Sequence, residues 1–187
     1  VSGPLVAVFG SARLAEGDAE YDHARALGRM IGEAGWTVAT GGYTGVMEAA
    51  CRGAAEAGGH TVGVTIAGWP WREPNRWVRE QRPGVDLFDR LRILVGQSAA
   101  MVAVAGGVGT LGEVALGWNM MQHAVRDGGS TRPLVVMGPR WRGLIDSFGE
   151  HLIDGPGDRG LVDLVDHPAE AMVTLRERIG TAGGQSS

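Results

Sequence analysis

The chain alternates short apolar runs with helix-compatible stretches from end to end, and three of the runs break into glycine at their C-terminal side. Leu5–Phe9 runs into Gly10-Ser11, Thr37–Thr40 into Gly41-Gly42-Tyr43-Thr44-Gly45, and Met101–Val104 into Ala105-Gly106-Gly107-Val108-Gly109-Thr110. Between them lie stretches with helical spacing, such as residues 18–34 with Ala24, Leu27, Met30 and Ile31 on one face. Strands that alternate with helices of this length imply parallel βαβ units with right-handed crossovers.

The predicted fold class is therefore α/β, a Rossmann-like doubly wound parallel sheet with helices on both faces. Further strands are expected at Thr61–Ile66, Pro133–Met137 and Leu161–Val165. Further helices are expected at Val46 to about Ala57, at 86–98, from Thr110 to about Ala124, at Trp141–Leu152 and at Pro168–Ile179. A single domain over residues 1–180 is expected, followed by a small polar tail, 181–187, expected to be disordered. In such sheets ligands bind beyond the carboxyl ends of the strands, where the strand order switches. The three glycine-rich strand ends should then converge on one crevice.

Two segments depart from the rhythm. Residues 67–84 hold Trp69, Trp71, Trp77, Pro70, Pro74 and Pro83 interleaved with Arg72, Arg76, Arg79 and Arg82. This long irregular segment reads as a surface loop pinned by its tryptophans, as a lid whose arginines and aromatics close over a nucleotide, or as both. The helix after Thr110 is apolar nearly all round (Leu111, Val114, Leu116, Trp118, Met120, Met121), so it is expected to be buried on most sides, in the core or in a dimer interface.

Composition narrows the chemistry. All 17 basic residues are arginine, and the formal net charge is −4. Without lysine, neither a pyridoxal phosphate Schiff base nor a Walker-type P-loop can be built from this chain. No basic block stands out, so nucleic acid is not an expected partner. No apolar stretch is long enough for a bilayer. The N-terminus shows no basic segment leading a hydrophobic run, so a signal peptide is not expected, and a cytoplasmic location is. Cys51 is the lone cysteine and sits in an alanine-rich helical stretch, which suits a buried structural thiol. The five histidines (His23, His60, His123, His151, His167) lack metal-ligand spacing, so no metal site is assigned. The first two glycine turns do not form a dinucleotide fingerprint, which disfavours NAD and FAD; no cofactor is expected.

The turn after Val104 carries the most chemistry. Gly106, Gly107 and Gly109 let backbone N–H groups approach an anion closely, and the following helix start adds unpaired donors and a positive dipole end. Glu113 sits one turn into that helix. It is either a cap, in a Thr110-Leu111-Gly112-Glu113 capping box, or a functional carboxylate beside the anion.

The sequence resembles the LOG family, the cytokinin riboside 5′-monophosphate phosphoribohydrolases. That family is marked by P-G-G-x-G-T-x-x-E, preceded by an arginine in a helix. Here Gly106, Gly107, Gly109, Thr110 and Glu113 match the motif, and Arg90 stands fifteen residues before the proline position. The earlier G-G-x-x-G-[LV]-M motif is matched by Gly41, Gly42, Gly45, Val46 and Met47, and the first-strand F-G-S by Phe9, Gly10 and Ser11. Three positions depart: Ala105 replaces the proline, Leu91 a lysine and Gly112 a frequent acidic residue.

The resemblance implies hydrolysis of the N-glycosidic bond of a nucleoside 5′-monophosphate, AMP or an N6-modified adenylate, to a free base and ribose 5-phosphate. The backbone of Gly106, Gly107, Val108, Gly109 and Thr110 would hold the phosphate. Glu113 would stabilise charge on the ribose or activate water. Arg90 would orient Glu113 or bind substrate, and should keep Glu113 ionised. Gly10, Ser11, Gly42, Gly45 and Met47 would bind the rest of the nucleotide. The superfamily also contains molybdenum cofactor carriers, so a non-catalytic binding protein for a nucleotide or phosphorylated cofactor is the alternative. A homodimer with the site near the interface is implied as well.

Overall fold

A computed structural model describes residues 3–69, 73–151, 155 and 157–182. Seven parallel strands form one sheet: β1 (Leu5–Phe9), β2 (Thr37–Thr40), β3 (Thr61–Gly63), β4 (Glu80–Gln81), β5 (Ala100–Ala103), β6 (Leu134–Met137) and β7 (Asp163–Val165). Among the described residues six α-helices connect and follow them, α1 (Ala19–Glu33), α2 (Val46–Glu56), α3 (Leu87–Gly96), α4 (Val108–Arg126), α5 (Pro139–His151) and α6 (Pro168–Ala182), with a short 3-10 turn at Asp158–Leu161. The strand order is β4-β3-β2-β1-β5-β6-β7. The chain thus builds outward from β1 to one edge, returns to place β5 beside β1, and builds outward to the other edge. The reversal between β1 and β5 is the switch point, with Phe9 opposite Ala103 at its carboxyl end.

Side-chain alternation divides the core into two layers. Val6 and Val8 of β1, with Val38, Val102 and Val135, pack under α1, α2 and α6. Ala7 and Phe9, with Ala39, Met101, Ala103 and Val136, pack under α3, α4 and α5. The central strands are buried on both faces, which is why they read as continuous apolar runs.

Four boundaries correct the sequence-based expectation. The third strand stops at Gly63, and Ile66 makes only an isolated bridge to Gly84. The segment expected to be irregular contains β4, a two-residue polar edge strand with no alternation to reveal it. Helix α4 starts at Val108, two residues before the expected Thr110. Helix α6 continues to Ala182, past its expected end at Ile179; residues 183–187 of the expected tail lie outside the described residues.

Helix α4 is also less buried than its composition implies. Its inner face holds Thr110, Glu113, Val114, Gly117 and Met121, while Val108 is 87% exposed and Val125 52%. Within one chain, α4 has a solvent-facing side. Among the described residues no helix is long and apolar enough to cross a membrane.

Candidate active site at the switch point

The loops after β1 and β5 are tied together where they leave the sheet. Val104 N–H donates to Phe9 O, and Ser11 N–H to Ala105 O, both at 2.9 Å. The chain then turns through Gly106 and Gly107 into α4. Gly106 has a packing reason: a Cβ there would lie 2.2 Å from Thr110 Oγ1. Gly107 and Gly109 have none, since a Cβ at either would meet nothing within 4 Å. Both are exposed on the cavity side. At Gly109, inside the helix, glycine is destabilising by about 1 kcal/mol relative to alanine. What these two positions gain is open access to the backbone.

Gly107 is the N-cap of α4, without a side-chain cap bond. Leu111 N–H to Gly107 O, at 2.9 Å, is the first bond of the helical ladder. The N–H groups of Val108, Gly109 and Thr110 are therefore left over as donors at a positive dipole end. This placement overturns the capping-box reading. Glu113 lies six residues beyond the N-cap, too far along α4 to return to its start.

Glu113 instead points at Arg90. The Arg90 Nη1–Glu113 Oε1 distance is 3.6 Å, and the two side chains are only 12% and 10% exposed. Arg90 Nε also donates to Val64 O at 2.8 Å, which fixes the guanidinium between α3 and the end of β3. Gly41 makes room for it: a Cβ there would lie 1.9 Å from Arg90 Nη2. Arg90 was expected to keep Glu113 ionised, and the structure corrects this. Burial pushes the Glu113 carboxyl up to about 7, and the opposing pull of Arg90 is the smaller effect. At that value the group exchanges its proton near neutral pH, as a general acid or base requires.

A cavity of about 910 Å³ surrounds these groups. Of the expected site residues, Gly10, Ser11, Met47, Arg90, Gly106, Gly107, Val108, Gly109, Thr110 and Glu113 line it. Gly42 and Gly45 are not among the residues that line it. They shape the β2–α2 turn at φ of 82° and 71°, where a side chain would be strained. A Cβ on Gly45 would also lie 2.1 Å from Ser11 O. The expectation did not name Tyr43, Leu87, Arg13 or Arg140 as site residues, and all four are in the cavity wall, with Gly41 of the second glycine turn and Trp69 of the expected lid segment. Arg140 stands just after β6, and its place near a strand's carboxyl end was the available signal.

The described part of the 67–84 segment behaves as a pinned loop. Asn75 Nδ2 donates to Gly42 O and Tyr43 O, at 3.0 and 2.8 Å. Trp77 packs against the α1/α2 core layer, with Arg76 and Arg52 over its ring. Arg82 pairs with Glu80 at 2.6 Å. Trp69 alone of its described residues lines the cavity. Pro70, Trp71 and Arg72 of the expected lid lie outside the described residues. Cys51 is buried beside Thr40, and burial pushes its thiol up to about 11, as suits a structural thiol.

Known proteins resemble this chain in sequence and fold. A cytokinin riboside 5′-monophosphate phosphoribohydrolase of Mycobacterium tuberculosis is 30% identical over 115 residues, covering 60% of this chain and 59% of that protein. The solved structure of the molybdenum cofactor carrier protein of Chlamydomonas reinhardtii superposes with a TM-score of 0.76 at 28% identity, over 95% of this chain and 99% of its own. That of a molybdenum cofactor binding protein from the phototrophic bacterium Rippkaea orientalis gives 0.75 at 22% identity, over 94% and 96%, a likeness of fold alone. The model of the SLOG cluster4 family matches residues 4–126, a span that holds all three glycine-rich strand ends, Arg90 and Glu113, and the chain belongs to that family, within the LOG-like superfamily.

Proposed function

We propose that the chain is a phosphoribohydrolase that cleaves the N-glycosidic bond of a nucleoside 5′-monophosphate, AMP or an N6-modified adenylate. The observation that carries this reading is the Arg90–Glu113 pair, buried in the wall of the cavity that also receives the free N–H groups of α4. The 5′-phosphate would sit on the Gly107–Thr110 backbone with the Thr110 hydroxyl. That anchors the ribose one helical turn from Glu113.

Breaking the C1′–N bond builds positive charge on the sugar, as in glycoside hydrolysis. The Glu113 carboxylate would stabilise that charge and take a proton from the attacking water. The water oxygen bonds to C1′, the C1′–N electron pair leaves with the base, and the proton passes to the departing base. Free base and ribose 5-phosphate result. Arg90 orients Glu113. Met47, Tyr43, Trp69 and Leu87 offer apolar surface to the base.

The exposed side of α4, with Val108 and Val125, would be covered by a second copy, giving a homodimer working on the cytoplasmic nucleotide pool. Light scattering on the purified protein tests the dimer.

A second reading is a carrier of a phosphorylated cofactor that uses the same cradle without hydrolysis. It is favoured by the match to the Chlamydomonas carrier, which spans nearly the full length of both chains. One assay separates the two. The protein is incubated with AMP and N6-modified adenylates, and ribose 5-phosphate is measured. Release supports the hydrolase; nucleotide binding without release, or a co-purified pterin chromophore, supports the carrier.

A further inference from the structure

The first turn of α5 is fastened to the strand end that carries the phosphate cradle. Gly138 turns the chain at φ 102°, its N–H bonded to Val165 O at 2.9 Å, and Pro139 opens the helix. Trp141 follows, 5% exposed, and its Nε1–H donates to Val104 O at 3.0 Å. Val104 is the residue before Ala105-Gly106-Gly107. Arg140 is thus held between an anchored tryptophan and a rigid proline, and it lines the cavity together with Gly106–Thr110 and Glu113.

Its charge is uncommitted. Arg142, two residues on, is paired with Asp166 at 3.2 Å. Arg90, deeper in the cavity, is engaged by Glu113 and Val64 O. Arg140 has no hydrogen-bond or ion-pair partner among the described residues. A phosphate monoester carries close to two negative charges at neutral pH, whereas a helix N-terminus offers the equivalent of about half a positive charge. Glu113 adds to the repulsion whenever it is ionised. With no lysine in the chain, the compensating charge must come from arginine. Arg13, the remaining arginine of the cavity wall, lies on the Ala12–Asp18 loop, held by Arg13 N–H to Ser11 Oγ at 3.1 Å and Thr44 Oγ1 to Ala12 O at 2.9 Å; unlike Arg140, it is not fastened to the strand end that carries the cradle.

We propose that Arg140 is the charged half of the phosphate subsite and makes the cavity selective for dianionic phosphomonoesters over uncharged nucleosides. It lies beyond residue 126, where the family match ends. The proposal rests on the placement of a phosphate at the start of α4. It holds whether the bound ester is cleaved or carried.

The test is calorimetric binding of AMP and adenosine to the wild-type protein, Arg140→Gln, Arg140→Lys and Arg142→Gln, with ribose 5-phosphate release followed in parallel. Arg140→Gln is expected to weaken AMP binding about tenfold or more, the loss typical of a charge-assisted bond. Adenosine binding should stay unchanged, and kcat should change little while KM rises. Arg140→Lys should recover part of the loss, because it restores charge without the planar fork. Arg142→Gln should match wild type. The AMP affinity of wild type should fall with added salt more steeply than that of Arg140→Gln. Equal AMP affinities for wild type and a folded Arg140→Gln, or a loss shared equally by adenosine, overturn the proposal. If binding depends on Arg140 but no ribose 5-phosphate appears, the hydrolase reading fails and this one stands. If release persists with unchanged KM, the reverse holds.

Discussion

The two helical layers of this molecule are built to opposite standards. On one face of the sheet, α1 and α2 meet backbone to backbone. A Cβ on Gly28 would lie 2.0 Å from Ala50 O, and one on Gly53 1.9 Å from Arg25 O. Glycine is required there for closure, and no space is left over. On the other face, α4 carries glycines at 109 and 112 where a side chain would meet nothing within 4 Å. It also buries the Glu113 carboxylate, beside Arg90. The first layer is optimised for packing. The second keeps loose, destabilising features around a cavity, as functional sites do.

The largest expected effect falls on the loose layer. Glu113→Gln should lower turnover of a nucleoside monophosphate by about a hundredfold or more, the range for losing a general base. Binding of the nucleotide, measured by calorimetry, should persist. An unchanged rate would leave Glu113 without a chemical role.

Next comes the tight layer. Gly28→Ala or Gly53→Ala should destabilise the fold by about 3 kcal/mol, since backbone must move to admit one methyl group. A thermal melt reads this as a clear drop in Tm. A neutral result would mean that α1 and α2 are less interlocked than their geometry indicates.

The pH dependence then links stability with chemistry. The Glu113 carboxyl is raised from 4.5 to about 7 in the folded protein. Between those values the unfolded chain releases this proton and the folded chain keeps it, so stability falls as pH rises through the window and levels off above it. The loss is of order 3 kcal/mol at pH 8, and Glu113→Gln should lack it. Denaturant titrations of both proteins at pH 5 and 8 give the comparison. If the ionised carboxyl is the working form, kcat/KM should rise with pH up to about 7 and then flatten.

The smallest effect sharpens the contrast from the other side. Gly112→Ala, on the open face of α4, should stabilise the single chain by about 0.5–1 kcal/mol through helix propensity. A loss of stability there, together with a shift in oligomeric mass, would mean that a second copy packs on this face.

The sequence made the sheet legible because each central strand is an apolar run closed by glycine. The Arg90–Glu113 pair was legible through its motif. Three things were not. Strand β4 is two polar residues at an edge, with no pattern to detect. Helix α4 begins at Val108-Gly109, which carry no capping signal, so the Thr110–Glu113 spacing mimicked a cap. The division of labour among Gly41, Gly42 and Gly45 depends on where the Arg90 guanidinium arrives from α3, a tertiary event. The ionisation of Glu113 was misjudged for a related reason. Spacing reveals the opposite charge nearby, while burial, the stronger influence here, depends on the whole fold.

The most direct measurement is a crystal structure of Glu113→Gln with AMP. The phosphate is expected on the N–H groups of Gly107–Thr110, with C1′ within one water molecule of the residue 113 side chain. A phosphate bound elsewhere, or a ribose turned away from residue 113, would contradict the proposed chemistry.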